Sequence, residues 1–467
     1  MPLSPGMSRH LPPFWLPIMP LASPAPAVAA HPLLAGPLQR LLAVDGQQRV
    51  DVAGFLRHVH GVARWLPASA NLVNLCEDRY HFLVLLCAAA VRGTVTLLPP
   101  SRAPQVVAEL QSCHAGCPAI GDQPIAGLAG YTTLPVPLPQ GDGPMPVLPG
   151  SQVLLIGFTS GSTGKPSANS KTWGAFQAST AQNMAALQPF FGEAGLSVVA
   201  TVPAQHMYGI EMSVMLPLLA PALVHAGRPF FAEDVACALA QVPPPRLLVT
   251  TPLHLDALLR SEVALPPLQA IVTATAPLPV ALAVAAEQQL GCPVQEMFGS
   301  TETCIIASRR TAQEPYWSPL PGVCLAPQPD GTAVSAAHLP QPVVLADLVE
   351  CLPDGRFQLR GRRADLLEIA GKRASLGDLT GRLLAIDGVV DAVMLQLPAE
   401  AGRRVGRIAA LVVAPGLDEA GVLAALRPLM DPVFLPRPLR LVASLPRNET
   451  GKLPRDALLA LLHANPG

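Results

Sequence analysis

Short apolar runs alternate with amphipathic stretches from about residue 71 onward, and no other feature constrains the fold of this chain as tightly. Residues 71–75 are expected to form a strand, 80–91 a helix and 94–98 a second strand. Further strands are expected at 153–158, 197–202, 246–251, 270–275 and 294–297, with helical stretches between most of them. A strand covered on both faces reads as a continuous apolar run, and a helix laid on a sheet shows one apolar stripe. The alternation therefore means α/β layers around buried sheets. Residues 119–150 are rich in Pro and Gly and are expected to run over the surface as connections. The pattern changes near Gly361. Strands at 389–396, 407–413 and 439–442 and a helix at 418–429 make a compact α+β segment of about 100 residues, a normal small-domain size.

Composition limits what such layers can serve. The chain has 467 residues, half of them hydrophobic and 13% charged, which excludes intrinsic disorder over most of its length. A formal net charge of -1 lacks the basic footprint that phosphate-backbone binding needs, so no nucleic-acid partner is expected. The longest proline-free apolar run, 82–91, falls far short of the roughly 20 residues a spanning helix requires, and no membrane span is expected. Arg9 and His10 precede an apolar stretch that faintly resembles a signal peptide, but Pro12, Pro13, Pro17 and Pro20 oppose a helical segment there. Residues 1–30 are expected to be a disordered leader, or to include sequence upstream of a start at Met7 or Met19. The nine cysteines are irregularly spaced, and Cys113-His114-x-x-Cys117 has no second ligand pair. Free thiols in a reducing cytoplasm are expected. Of 31 basic residues only four are lysines: Lys165, Lys171, Lys372 and Lys452. Arginine cannot copy a lysine at a tight site, so each stands out. Lys171 alone is expected to be an ordinary surface residue.

Thr159-Ser160-Gly161-Ser162-Thr163-Gly164-Lys165-Pro166 follows the expected strand at 153–158. Glycines let backbone N–H groups turn inward and hydroxyls add donors, so such a loop can cradle phosphate oxygens. It is not the NTPase P-loop, which needs Gly at 159 and Ser or Thr at 166. By itself a Ser/Thr/Gly loop is more often a plain connection. The segment resembles the signature phosphate loop of the adenylate-forming superfamily, which includes acyl- and aryl-CoA synthetases, peptide-synthetase adenylation domains and luciferases. Ser167 and Ala168 stand where that superfamily usually has Lys-Gly.

Further matches follow in the superfamily's order. Pro203-Ala204-Gln205-His206-Met207-Tyr208-Gly209 resembles the histidine motif at the acyl pocket. Thr275-Ala276-Pro277-Leu278-Pro279 resembles the loop beside the adenine. Phe298-Gly299-Ser300-Thr301-Glu302 resembles the motif Tyr-Gly-x-Thr-Glu, whose aromatic flanks adenine, whose threonine meets the α-phosphate and whose glutamate binds Mg2+. The chemistry fits, because a hard cation wants carboxylate oxygen and bridges phosphates. Asp347 stands where an aspartate holds the ribose hydroxyls. Gly361-Arg362-Arg363-Ala364-Asp365 and Gly371-Lys372-Arg373 resemble the hinge and the loop after it, with Arg362 assisting at the ribose. Ala364 occupies a pivot that is normally Asp or Lys, with Asp365 beside it. Pro446-Arg447-Asn448-Glu449-Thr450-Gly451-Lys452-Leu453 resembles the terminal motif that carries the catalytic lysine.

The resemblance implies a large multi-subdomain N-terminal α/β domain over 31–361 and a small mobile α+β C-terminal domain over 362–467. It implies ATP and Mg2+ as cofactors and a small-molecule carboxylic acid as substrate. The implied catalytic residues are Lys452, Glu302, Thr163 and His206. The interval from Glu302 to Asp347 is 45 residues (347 − 302), shorter than usual, so a peripheral subdomain is trimmed there. Two segments, Asn74-Leu75-Cys76-Glu77-Asp78-Arg79-Tyr80 and 92–100, are similar to the compact AMP-ligases of aryl polyene and xanthomonadin pigment pathways. That similarity implies an aromatic acid loaded onto the phosphopantetheine thiol of an acyl carrier protein. Three alternatives stay open at this point. They are an acyl-CoA synthetase using free CoA with fatty or aryl acids, a non-catalytic nucleotide- or acyl-binding relative, and an oxidative luciferase-like enzyme.

Overall fold

The continuously apolar strands occupy the centre of a nine-stranded sheet. Its order is Ser318–Pro319, Cys304–Arg309, Val294–Ser300, Ala270–Thr273, Arg246–Thr250, Leu196–Ala200, Ala222–His225, Leu41–Asp45 and Gln48–Asp51. The six strands from Val294–Ser300 to Leu41–Asp45 run parallel, and the flanking strands are antiparallel. Every residue of Leu196–Ala200, Ala222–His225 and Ala270–Thr273 is buried, as expected for strands covered on both faces. The computed structural model describes residues 30–159, 167–193, 195–328, 331–362, 366–369, 372–397, 407–448, 451 and 453–463. The expected leader up to residue 29, the loop 160–166, the pivot residues Ala364 and Asp365, and Lys452 lie outside these.

A six-stranded sheet has the order Ser167–Thr172, Val153–Thr159, Val95–Leu98, Asn71–Asn74, Ala119–Gly121 and Tyr131–Thr133, parallel except for Ser167–Thr172. Here the expectation for 119–150 needs correcting. That stretch carries two strands of the sheet, and Val147–Pro149 pairs with Ala30–Pro32. Strands of three residues at a sheet edge are too short to leave a periodic signature among prolines and glycines.

The helix Arg79–Val91 links the two sheets. It buries eleven of its residues, so it is apolar on all sides. The Asp78 side chain caps its N-terminus by accepting from His81 N at 2.8 Å. Arg79 is 1% exposed, and its guanidinium donates to the Ala200 and Val202 carbonyls at 2.9 Å each and to Ser213 Oγ. A polar anchor therefore crosses between layers inside an apolar core, with both terminal guanidinium nitrogens bonded to backbone and hydroxyl oxygens. Asp122 accepts from Glu77 N and Asp78 N at 2.8 Å each, so the Asp78–His81–Asp122 cluster is occupied in tying the turn before this helix.

Beyond Leu366 the core is made afresh. The antiparallel pair Asp391–Gln396 and Ile408–Val413, with Leu439–Leu441 alongside, forms a three-stranded sheet. Ala392, Met394, Ala410 and Val412 pack with residues of the helices Leu376–Leu384 and Glu419–Leu426. Leu395, Ala409, Leu411 and Val413 pack with Leu458 and Leu462 of Arg455–His463. Alternate residues serve opposite faces, the period-2 rule of a strand. A small sheet of Cys324–Gln328, Gly331–Ser335 and Val343–Val344 occupies the shortened interval before Asp347. Among the described residues no helix is long and apolar enough to cross a membrane.

Candidate functional site

Four of the motifs singled out in the main domain follow the C-terminal ends of strands in the two large sheets. The loop 159–165 follows Val153–Thr159, and the segment 203–209 follows Leu196–Ala200. Thr275–Pro279 follows Ala270–Thr273, and Thr301–Glu302 follows Val294–Ser300. The carboxyl ends of parallel strands are where α/β sheets leave a crevice for ligands.

The motifs meet in space. A Cβ added at Gly157 would lie 3.3 Å from Thr301 Cγ2 and 3.9 Å from Met207 Cε. The strand entering the phosphate loop, the histidine motif and the Thr-Glu motif thus converge within contact distance. Two further glycines make the turns possible. A Cβ at Gly209 would stand 2.0 Å from the Pro203 carbonyl oxygen, and one at Gly299 would stand 2.1 Å from the Cys304 carbonyl oxygen. Backbone strain gathers here too. Thr275 has φ +81° and Cys304 φ +59°, the left-handed region that a β-branched threonine rarely enters.

Buried acids hold the motif loops. Glu296, 2% exposed, accepts from Leu278 N at 2.9 Å and so fixes the loop 275–279. Arg309 at 2.8 Å and Thr311 Oγ1 at 2.5 Å satisfy its other oxygen. Glu211, 1% exposed, lies in a π-helical turn, Glu211–Met215, directly after the histidine motif. Such turns recur at functional sites. Its carboxylate accepts from Ser179 Oγ at 2.6 Å, Asn183 Nδ2 at 3.1 Å and Ile305 N at 3.0 Å. Burial raises the Glu211 carboxyl above the usual carboxylate range, while the Ser179 and Asn183 hydrogen bonds and the Lys171 charge pull it down.

Lys171 corrects the expectation of a surface residue. It is 5% exposed, and its Nζ donates to the Glu302 carbonyl oxygen at 2.7 Å. An aliphatic stem lets a lysine in an edge strand reach inward to a fixed acceptor. Glu211 and the buried imidazole of His338 were also missed from the sequence. For Glu211 a signal existed, because it is the one charged residue between Met207 and Val224.

The remaining expected residues are placed as follows. His206 is half-buried and immediately precedes the short helix Met207–Ile210. Met207 and Tyr208 are buried, and the Tyr208 hydroxyl donates to the Val272 carbonyl at 2.8 Å. Burial also pushes that phenol well above its ordinary range, so it serves as a tie between the motif and the sheet. Thr275 and Ala276 are half-buried and Pro277 is exposed. Phe298, half-buried, packs on Trp317 and Phe357 with ring centroids 5.4 and 6.0 Å away. Thr301 and Glu302 are half-buried, and the Glu302 side chain forms no salt bridge among the described residues. A half-exposed carboxylate is the oxygen donor a hard cation needs, so the residue present fits Mg2+. Asp347 and Arg362 stand opposite each other on the antiparallel strands Asp347–Cys351 and Phe357–Arg362.

The terminal motif also approaches this face. A Cβ at Gly451 would lie 3.7 Å from Leu253 Cβ, in the helix Pro252–Arg260 that follows Arg246–Thr250. Arg447 grips Asp391 at 2.7 and 3.1 Å and donates to the Gly451 carbonyl at 2.8 Å. It thereby fixes the turn next to Lys452.

A profile of the family described as AMP-binding enzyme matches residues 103–334. A 4-coumarate–CoA ligase of Rhodobacter capsulatus is 32% identical over 301 residues, covering 63% of this chain and 73% of that protein. The fold is similar to that of o-succinylbenzoate coenzyme A synthetase (MenE) from Bacillus subtilis in complex with ATP and magnesium ion. The TM-score is 0.75 at 18% identity, over 90% of this chain and 96% of that one. MatB from Rhodopseudomonas palustris bound to ATP gives 0.73 at 18% identity, over 91% and 96%.

Proposed function

The chain belongs to the AMP-binding enzyme family, and from that premise we propose that it joins an aromatic carboxylic acid to the thiol of coenzyme A through an acyl-adenylate. Its reaction class is that of an AMP-forming acid–thiol ligase. The observation that carries the reading is the meeting of Gly157, Met207 and Thr301 beside Glu302. The name of the coumarate ligase supports an aromatic acid and coenzyme A.

In the first step a carboxylate oxygen attacks the α-phosphorus of ATP, and the bond to pyrophosphate breaks. Two anions must meet, so the barrier is largely electrostatic and preorganised donors lower it. Thr301 is assigned to the α-phosphate, and the donors of 159–165 and Lys452 to the phosphate oxygens. Mg2+, when bound, supplies positive charge on those oxygens, and Glu302 is the residue that would hold it. Asp347 and Arg362 are assigned to the ribose, and Phe298 with Thr275–Pro277 to the adenine. In the second step the thiol sulfur attacks the acyl carbon, its proton passes to water, and AMP leaves with the anhydride oxygen. The small unit over 362–467 would pivot at Ala364 and Asp365 and withdraw Lys452 before the thiol enters.

Residues 74–80 and 92–100 favour a second acceptor, the phosphopantetheine thiol of an acyl carrier protein, as in the pigment-pathway ligases they resemble. Nine free cysteines suit a reducing cytoplasm. ATP–pyrophosphate exchange over a panel of aromatic and fatty acids, followed by product mass analysis with coenzyme A and with a carrier protein, tests the reading. Exchange strongest with an aryl acid and a coenzyme A thioester are expected. Absence of exchange with every acid would contradict it, and product on the carrier alone would replace the acceptor.

A further inference from the structure

We infer that Lys171, His338 and Glu211 are positioning residues that jointly set the backbone of the turn carrying Glu302. The inference rests on the proposed function, in which Glu302 holds the cation.

Three consecutive stretches of this turn are gripped from three distant parts of the chain. Lys171 Nζ donates to the Glu302 carbonyl at 2.7 Å, from the edge of the six-stranded sheet. His338 Nε2 donates to the Thr303 carbonyl at 2.7 Å. A carbonyl can only accept, so Nε2 carries the proton. Glu211 receives Ile305 N at 3.0 and 3.2 Å, from the π-helical turn. All three side chains are at most 5% exposed. Between the gripped groups lies Cys304, whose φ of +59° an unrestrained chain would seldom keep. Within the turn, Thr303 Oγ1 accepts from Ser300 N at 3.0 Å.

The cost of this arrangement argues for its purpose. Burying a lysine and a glutamate is expensive, and apolar residues of similar volume would usually be neutral or stabilising. Apolar residues could not bond the Glu302 carbonyl or the Ile305 amide. The charged groups therefore give a fixed direction to the turn at a cost in stability. Lys171 is one of four lysines in the chain, and a compact ammonium suits a single carbonyl acceptor in a closed space better than a planar guanidinium does. Groups that orient a metal ligand from behind matter for affinity almost as much as the ligand itself.

The test uses the full-length protein with Mn2+ as a spectroscopic stand-in for Mg2+. Mn2+ binding to the ATP complex is titrated by electron paramagnetic resonance, and metal-free ATP binding and thermal unfolding are measured beside it. The variant Lys171→Met with Glu211→Gln removes both charges together and leaves no lone buried ion. It is expected to fold, to bind metal-free ATP as the wild type does, and to weaken Mn2+ binding about 10–100-fold. His338→Leu removes a neutral donor from the same turn and is expected to act in the same direction, so a double variant that fails to fold does not shield the inference. Wild-type Mn2+ affinity in either folded variant overturns it. A wild-type protein that binds no Mn2+ with ATP overturns the functional reading first, and the inference falls with it.

Discussion

Gly157 and Thr301 face each other at the junction of the two sheets: a β-carbon on the glycine would stand 3.3 Å from the threonine methyl. That is closer than side chains normally approach, so the threonine would have to give way. Gly157→Ala should therefore displace Thr301 without unfolding the protein. We expect kcat/KM for ATP to fall about ten-fold, about 1.4 kcal/mol of transition-state stabilisation. Steady-state kinetics with circular dichroism checks this. An unchanged kcat/KM would remove Thr301 from the phosphate site.

Lys452→Ala should lose adenylate formation and keep thiol transfer from a preformed acyl-adenylate. The adjacent Gly451 lies against Leu253 at the strand-end face, and Arg447 fixes the turn. Single-turnover measurements of each half-reaction decide. Equal loss in both halves would contradict a role confined to the first step.

Glu302→Gln keeps the shape of the side chain but lacks the charge a hard cation prefers. At saturating ATP the Mg2+ concentration for half-maximal turnover should rise. Metal dependence identical to the wild type would sink the assignment.

Burial holds the Glu211 carboxyl above its ordinary range, and protonation is therefore easier in the folded than in the unfolded chain. The stability this contributes is fully present below the unfolded pKa and is lost as pH rises through the folded one. Relative to Glu211→Gln, the wild type should gain stability on going from about pH 7 to about pH 5. Denaturant midpoints of the two proteins at both pH values test the sign. A relative loss by the wild type on acidification would contradict it.

The central strands were legible because a strand buried on both faces leaves a largely apolar run, as in Leu196–Ala200 and Ala270–Thr273. The motif segments stood out because their residue types and order match a recurring pattern, as at Thr301 and Glu302. What holds those loops was hidden. Lys171 meets Glu302 across 131 residues, and Glu211 meets Ile305 across 94. No local pattern records such pairings. The Tyr208 hydroxyl bond to the Val272 carbonyl, across 64 residues, was hidden in the same way.

The central claim is that the acid is activated as an adenylate, and oxygen-18 in the carboxylate of an accepted substrate follows it directly. If a carboxylate oxygen attacks the α-phosphorus and the thiol later attacks the acyl carbon, that oxygen must remain on phosphorus. Mass analysis after a full turnover should find one labelled oxygen in AMP and none in pyrophosphate. Label in orthophosphate with ADP as the product, or unlabelled AMP, would contradict the account.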